Sequence, residues 1–157
     1  MKATQIEAYL KATLPPLPAG YAAPGERAKP VLPTNCPGCG GPIRADEVEW
    51  VETSALPDQA GNVILYGHNN MYTAIFKDLG KLRIGDDISL KTGQRSWEYQ
   101  VDQLLILPVL GAGAQERAAY QVYLQPTIAP RLTLISCWPP VSNTHRVVVI
   151  AYPVQVP

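Results

Sequence analysis

The sequence predicts a mostly β fold, a largely antiparallel barrel carrying one or two short helices. Three observations lead there. Short apolar runs rich in β-branched and aromatic residues recur at Asn62–Tyr66, Ile88–Leu90, Trp97–Val101, Leu132–Ile135 and Arg146–Tyr152. Turn formers such as Gly85-Asp86-Asp87 and Thr92-Gly93-Gln94-Arg95 separate several of them. Finally, the 16 prolines gather before Pro42 and at strand ends, where a residue without an N–H stops a ladder.

Taken in order, the chain opens on Thr4-Gln5-Ile6-Glu7, which has the form of a capping box. Ile6, Tyr9, Leu10 and Leu14 follow at helical spacing until Pro15, and predict an N-terminal helix. From Leu14 to Gly41 the chain is rich in Pro, Gly and Ala and reads as an extended strap. Residues 1–41 are thus expected as a helix and strap, and residues 42–157 as the β domain. Inside the strap, Cys36-Pro37-Gly38-Cys39 is a tight turn that brings two thiols to one side. It is half of a four-thiolate zinc site, and the chain has no second pair. Zinc at Cys36 and Cys39 would therefore bridge two copies in a homodimer; a disulfide or two free thiols is the alternative.

Glu47 to Thr53 alternates, with Val48, Trp50 and Val51 inward, and predicts a strand; residues 54–61 form a loop. Asn62–Tyr66 is a short apolar strand with Gly67-His68-Asn69-Asn70 at its end. Met71, Tyr72, Ile75, Phe76 and Leu79 fall on one face of an expected helix, with Gly80 just after its last turn. A hairpin through residues 92–95 leads into Trp97–Val101, and Leu104–Leu110 either continues that strand or begins the next. Residues 111–130 are long and mixed, and a loop of that length beside a candidate site is expected to contact substrate. Its Tyr120, Val122 and Leu124, with Ala118, are candidates for an apolar substrate pocket.

Composition excludes several classes. Thirteen basic residues balance thirteen acidic ones, so nothing points to nucleic acid or an anionic membrane. No apolar run is long enough for a membrane span, and Thr4-Gln5 interrupts any signal-peptide core. The expectation is either a cytoplasmic protein or one whose membrane anchor lies outside this sequence.

The chemistry gathers at strand ends. Cys137 closes the run Leu132–Ser136 just before Trp138-Pro139-Pro140, and Arg146 opens the next run. Between Leu132 and Pro157 the only formal charge is Arg146. Two neighbouring strands of this kind hold a thiol and a permanent cation at one rim, and a cation favours the reactive thiolate. Only two histidines exist, His68 and His145. Successive strand residues point to opposite faces, so an Arg146 facing Cys137 turns His145 away and leaves His68 as the acid and base.

Gly67-His68-Asn69, Leu82-Arg83-Ile84-Gly85-Asp86, Thr133-Leu134-Ile135-Ser136-Cys137 and the downstream Arg146 together resemble the sortase family. Sortases carry a Thr-Leu-x-Thr-Cys signature, an upstream Gly-His and an arginine beginning the last strand. The resemblance runs from about Trp50 to Tyr152, with Ser136 in place of the usual threonine. It implies a closed eight-stranded barrel, no required cofactor, an extracytoplasmic location at the cell surface, and an N-terminal membrane anchor. It further implies a cysteine transpeptidase. Cys137 attacks a Leu-Pro-x-Thr-Gly-like sorting signal on a secreted protein, and His68 protonates the leaving amine. A primary amine from a peptidoglycan precursor or pilin lysine then resolves the thioester. Arg146 holds substrate and oxyanion, and Ser136 joins Tyr120, Val122 and Leu124 as substrate-binding candidates.

Two other readings stay open. A cysteine peptidase would use water as the acceptor, and a non-catalytic, zinc-bridged interaction module would be organised by Cys36 and Cys39. The L,D-transpeptidases also combine Cys, His and Arg, but place His and Gly directly before the cysteine, where this chain has Ile135-Ser136.

Overall fold

The computed structural model of the chain describes residues 6–9, 48–51, 54–57, 59–69, 74, 76–92 and 95–154. They hold seven strands: β1 (Ile6–Tyr9), β2 (Glu49–Trp50), β3 (Asn62–Tyr66), β4 (Asp87–Thr92), β5 (Arg95–Pro108), β6 (Arg131–Trp138) and β7 (His145–Pro153). One helix, α1 (Ala114–Tyr120), lies between β5 and β6. The strands form one sheet in the order β1-β4-β5-β7-β6-β3-β2. β1 pairs parallel with β4 and β3 parallel with β6, while the other ladders are antiparallel. Among the described residues β1 and β2 are the two edges, so the eight strands and the closure expected of a barrel are not what these residues form.

The sheet has an apolar cluster on each face. On one, Val63 and Leu65 of β3, Ile88 and Leu90 of β4, Leu132 and Leu134 of β6, and Val147 and Val149 of β7 pack with Phe76, Leu79 and Leu82. On the other, Ile64, Tyr66, Ile135, Val148 and Ile150 pack beneath Tyr120 and Leu124. Central strands buried on both sides explain the unbroken apolar runs in β3, β6 and β7. The strand β5 is a single element with a bulge, where Val101 pairs with Ala151 and Gln103 with Ile150, leaving Asp102 as the extra residue. An extra residue exchanges the two faces, so Tyr99 and Val101 point to the first cluster while Leu107 points to the second. Simple alternation therefore could not say whether Leu104–Leu110 continued the strand.

Three expectations are corrected. Ile6–Tyr9, read from its capping box as the start of an N-terminal helix, is a strand whose Ile6 pairs with Ile88 and Tyr9 with Lys91. A short isolated helix is marginal in water, and pairing covers the edge that β4 would otherwise present. The helix expected over 71–79 is replaced in its described part by turns and a short 3₁₀ helix at Leu79–Lys81. Ala74 has φ 45°, a left-handed conformation that no right-handed helix passes through. The long connection 111–130, expected as a loop, contains α1 and a 3₁₀ helix at Gln121–Leu124. The strap and its Cys36 and Cys39 lie outside the described residues. No described helix is long and apolar enough to cross a membrane.

Candidate active site

The site grows from the register of β6 and β7. Cys137 lies directly opposite Arg146, and Trp138 opposite His145. Opposed residues in an antiparallel pair hold their Cβ atoms about 4.5–5.5 Å apart, close enough for a thiol and a guanidinium to interact. By alternation both share the face of Ile135, Val148 and Ile150, which is the face beneath α1. His145 falls on the opposite face from Arg146, and its Nδ1 lies 2.7 Å from Thr144 Oγ1.

Cys137 is buried and carries no disulfide. Burial pushes its thiol above the ordinary range, because a thiolate loses solvation there, and the Arg146 charge pulls part of the way back. The guanidinium is itself buried, 3% exposed, and its Nη1 donates to the carbonyls of His145 at 3.1 Å and Asn143 at 3.3 Å. Two main-chain carbonyls thus fix the cation that faces Cys137. Tyr66, on the same face at the end of β3, has its phenol pushed far up by burial and pulled down by Arg146. That coupling places it within the same electrostatic neighbourhood.

His68 reaches this rim because the parallel β3–β6 pairing continues past Tyr66 through irregular bonds. Gly67 N–H donates to the Ile135 carbonyl at 3.2 Å. Ser136 Oγ donates to the Gly67 carbonyl at 2.6 Å. Asn69 Nδ2 donates to the Cys137 carbonyl. Residues on both sides of His68 are therefore tied to three consecutive residues of β6, Ile135, Ser136 and Cys137. His68 is buried, and its own carbonyl accepts from Phe76 N–H at 2.8 Å, which pins the start of the following turn. These hydrogen bonds keep the chain beside β6 after it has left the ladder.

The remaining candidates separate. Ser136 is buried on the opposite face from Cys137, with its hydroxyl given to Gly67, so it sets the position of the histidine segment. Tyr120, the last residue of α1, and Leu124 pack into the core, whereas Val122 is 58% exposed. The alternate spacing that grouped them presupposes an extended chain, and the segment is helical. Asn62 Nδ2 donates to the carbonyls of Tyr123 and Gln125, at 3.0 and 3.2 Å, and Arg131 Nη2 to that of Tyr123 at 2.8 Å. These bonds clamp the covering segment to the first residues of β3 and β6, the end of those strands away from Cys137. Sequence reasoning missed Asn69 and Tyr66; the position of Asn69 directly after His68 was the one signal available. Among the described residues no group of three or more His, Cys, Asp or Glu is placed to hold a metal.

Comparison with known proteins bears on the family and the fold. A search of curated proteins finds no match. Among solved structures, a lid mutant of sortase A from Corynebacterium diphtheriae superposes with a TM-score of 0.57 and 24% identity, over 71% of this chain and 57% of that one. Sortase C1 from Streptococcus agalactiae gives 0.56 and 28%, over 71% and 55%. Sortase C from Streptococcus pneumoniae, described for its catalysis and pilin substrate specificity, gives 0.56 and 23%, over 69% and 53%. The chain thus spans less than two thirds of the length of these sortases. A family model described as the sortase domain matches residues 28–154, and with Cys137 set opposite Arg146 and the His68 segment bonded beside them, this chain belongs to the sortase family.

Proposed function

We propose that this chain is a cysteine transpeptidase in which Cys137, His68 and Arg146 are the catalytic residues. The observation that carries the reading is the direct pairing of Cys137 with Arg146 across β6 and β7. The thiolate of Cys137 attacks the carbonyl carbon of a scissile peptide bond, and the carbonyl oxygen gains the negative charge. Arg146 donates hydrogen bonds to that oxyanion from a guanidinium already held by two carbonyls. As the tetrahedral species collapses, the C–N bond breaks and His68, as imidazolium, gives its proton to the departing amine. The acyl group remains on Cys137 as a thioester. A primary amine then attacks, His68 takes a proton, and the C–S bond breaks to release Cys137. No cofactor takes part.

The substrate is an extended sorting signal of the Leu-Pro-x-Thr-Gly type, and the acceptor is a cross-bridge amine or a pilin lysine. The likeness to a sortase C described for pilin specificity supports the second. Such partners put the enzyme on the extracytoplasmic cell surface. We further assign residues 42–157 to the catalytic unit and residues 1–41 to an extension, whose Ile6–Tyr9 adds an edge strand to the same sheet. Of the apolar candidates Val122, exposed on the segment between β5 and β6, is the one we keep as a substrate contact.

Mass spectrometry of the protein with such a peptide tests the reading. The expected result is an acyl adduct on Cys137, a joined product when a primary amine is added, and neither from Cys137→Ala. Release by water alone, with amine in excess, would replace transpeptidation by hydrolysis.

A further inference from the structure

Asn69 is a buried polar residue beside Cys137 that this reaction leaves unused. It follows His68 directly and is 3% exposed. Its Nδ2 donates to the main-chain carbonyl of Cys137, which fixes the way the amide faces, since an oxygen turned towards that carbonyl would be repelled. The other half of the amide, Oδ1, is buried and has no hydrogen-bond partner among the described residues. Buried polar atoms are nearly always partnered, so an exception beside a nucleophile is a place for a ligand's N–H.

The chemistry narrows which N–H it is. The acyl carbonyl is an acceptor and is matched by the Arg146 guanidinium, so it has no use for a second acceptor. The acyl acceptor, by contrast, arrives carrying N–H bonds. A neutral primary amine has two, and His68 takes only one.

We infer that Asn69 selects the incoming amine, its Oδ1 accepting the N–H that survives in the product while its Nδ2 holds the Cys137 carbonyl. The step balances as follows. The nitrogen lone pair forms the C–N bond to the thioester carbon, and the C–S electron pair returns to Sγ. One nitrogen proton passes to His68, and the other remains on the new amide, bonded to Asn69. This rests on the transpeptidase reading above, and makes Asn69 a residue that reads the acceptor.

The full chain is acylated with a Leu-Pro-x-Thr-Gly-type peptide and offered a primary amine or its N-methyl analogue, and joined and hydrolysed products are counted. Their ratio is set after the thioester has formed, so slower acylation alone does not move it. Wild type should join the primary amine about tenfold better than the N-methyl amine, roughly what one hydrogen bond contributes. Asn69→Ala should lower joining relative to hydrolysis by about the same factor and lose the preference between the amines. An Asn69→Ala protein with wild-type partition and preference overturns the inference. Should that variant show no cooperative melt, equal joining of both amines by wild type overturns it instead. A wild-type protein that forms no acyl adduct at all strikes the transpeptidase reading, a separate outcome.

Discussion

Ser136 Oγ donates to the carbonyl of Gly67 at 2.6 Å, so the residue before Cys137 holds the residue before His68. The bond crosses between β6 and the end of β3, both buried. It fixes how far the His68 backbone can stand from the strand that carries Cys137. Removing it should act on geometry more than on charge. Ser136→Ala is expected to lower stability by about 1 kcal/mol, the usual net value of one such bond. Activity should fall with it, and Ser136→Thr should restore both. Urea denaturation alongside a peptide-cleavage assay checks this; full activity in Ser136→Ala would show the hydroxyl to be incidental.

Arg146 is held through Nη1 by the carbonyls of Asn143 and His145, a geometry that a lysine ammonium cannot reproduce. Arg146→Lys should therefore lower kcat by about 10²-fold, the scale of one lost oxyanion donor. Near-normal turnover would reduce Arg146 to a source of positive potential.

His68 and His145 should differ sharply. His68→Ala is expected to lose at least about 10²-fold in rate, the low end for general acid–base catalysis. His145, bonded to Thr144 and turned from Arg146, should tolerate alanine with little loss. The opposite pattern in steady-state rates would reassign the acid.

The Cys137 thiol is raised by burial and partly lowered by Arg146, which sets a pH dependence. Alkylation by iodoacetamide should gain rate with a midpoint above the ordinary thiol range, and Arg146→Ala should move that midpoint higher still. Because the folded value exceeds the unfolded one, the stability linked to this thiol is complete below the unfolded value. It is lost as pH rises through the folded value. Thermal melts at rising alkaline pH should accordingly fall less steeply for Cys137→Ala than for wild type.

Gly80 packs against the ring of Trp138, the neighbour of Cys137. A Cβ there would meet ring carbons at 2.5, 2.8 and 2.9 Å. Gly80→Ala should force the indole aside and cost about 1–3 kcal/mol, as overpacking does. Denaturant unfolding and tryptophan fluorescence would register the change; an unaltered melt would mean that the indole moves freely.

The sequence by itself determined the central strands and the chemistry at their ends. Asn62–Tyr66 and the strands carrying Cys137 and Arg146 are readable because burial on both faces demands unbroken apolar runs. Alternation also fixed that Arg146 and His145 face apart, since the period of a strand leaves no choice. Tertiary structure decided what local pattern could not carry. Ile6–Tyr9 became a strand because β4 offered it a ladder, overriding a capping signal worth little in so short a helix. The bulge at Asp102 exchanged the faces of β5, and a single extra residue leaves no mark in a run as uniform as Leu104–Leu107. Tyr120, Val122 and Leu124 separated because the connection before β6 coils into α1 and a 3₁₀ turn, burying two and exposing the third. Asn69 gained its place beside Cys137 only when parallel pairing brought β3 against β6, a contact between residues 68 positions apart that depends on long-range pairing and not on local sequence.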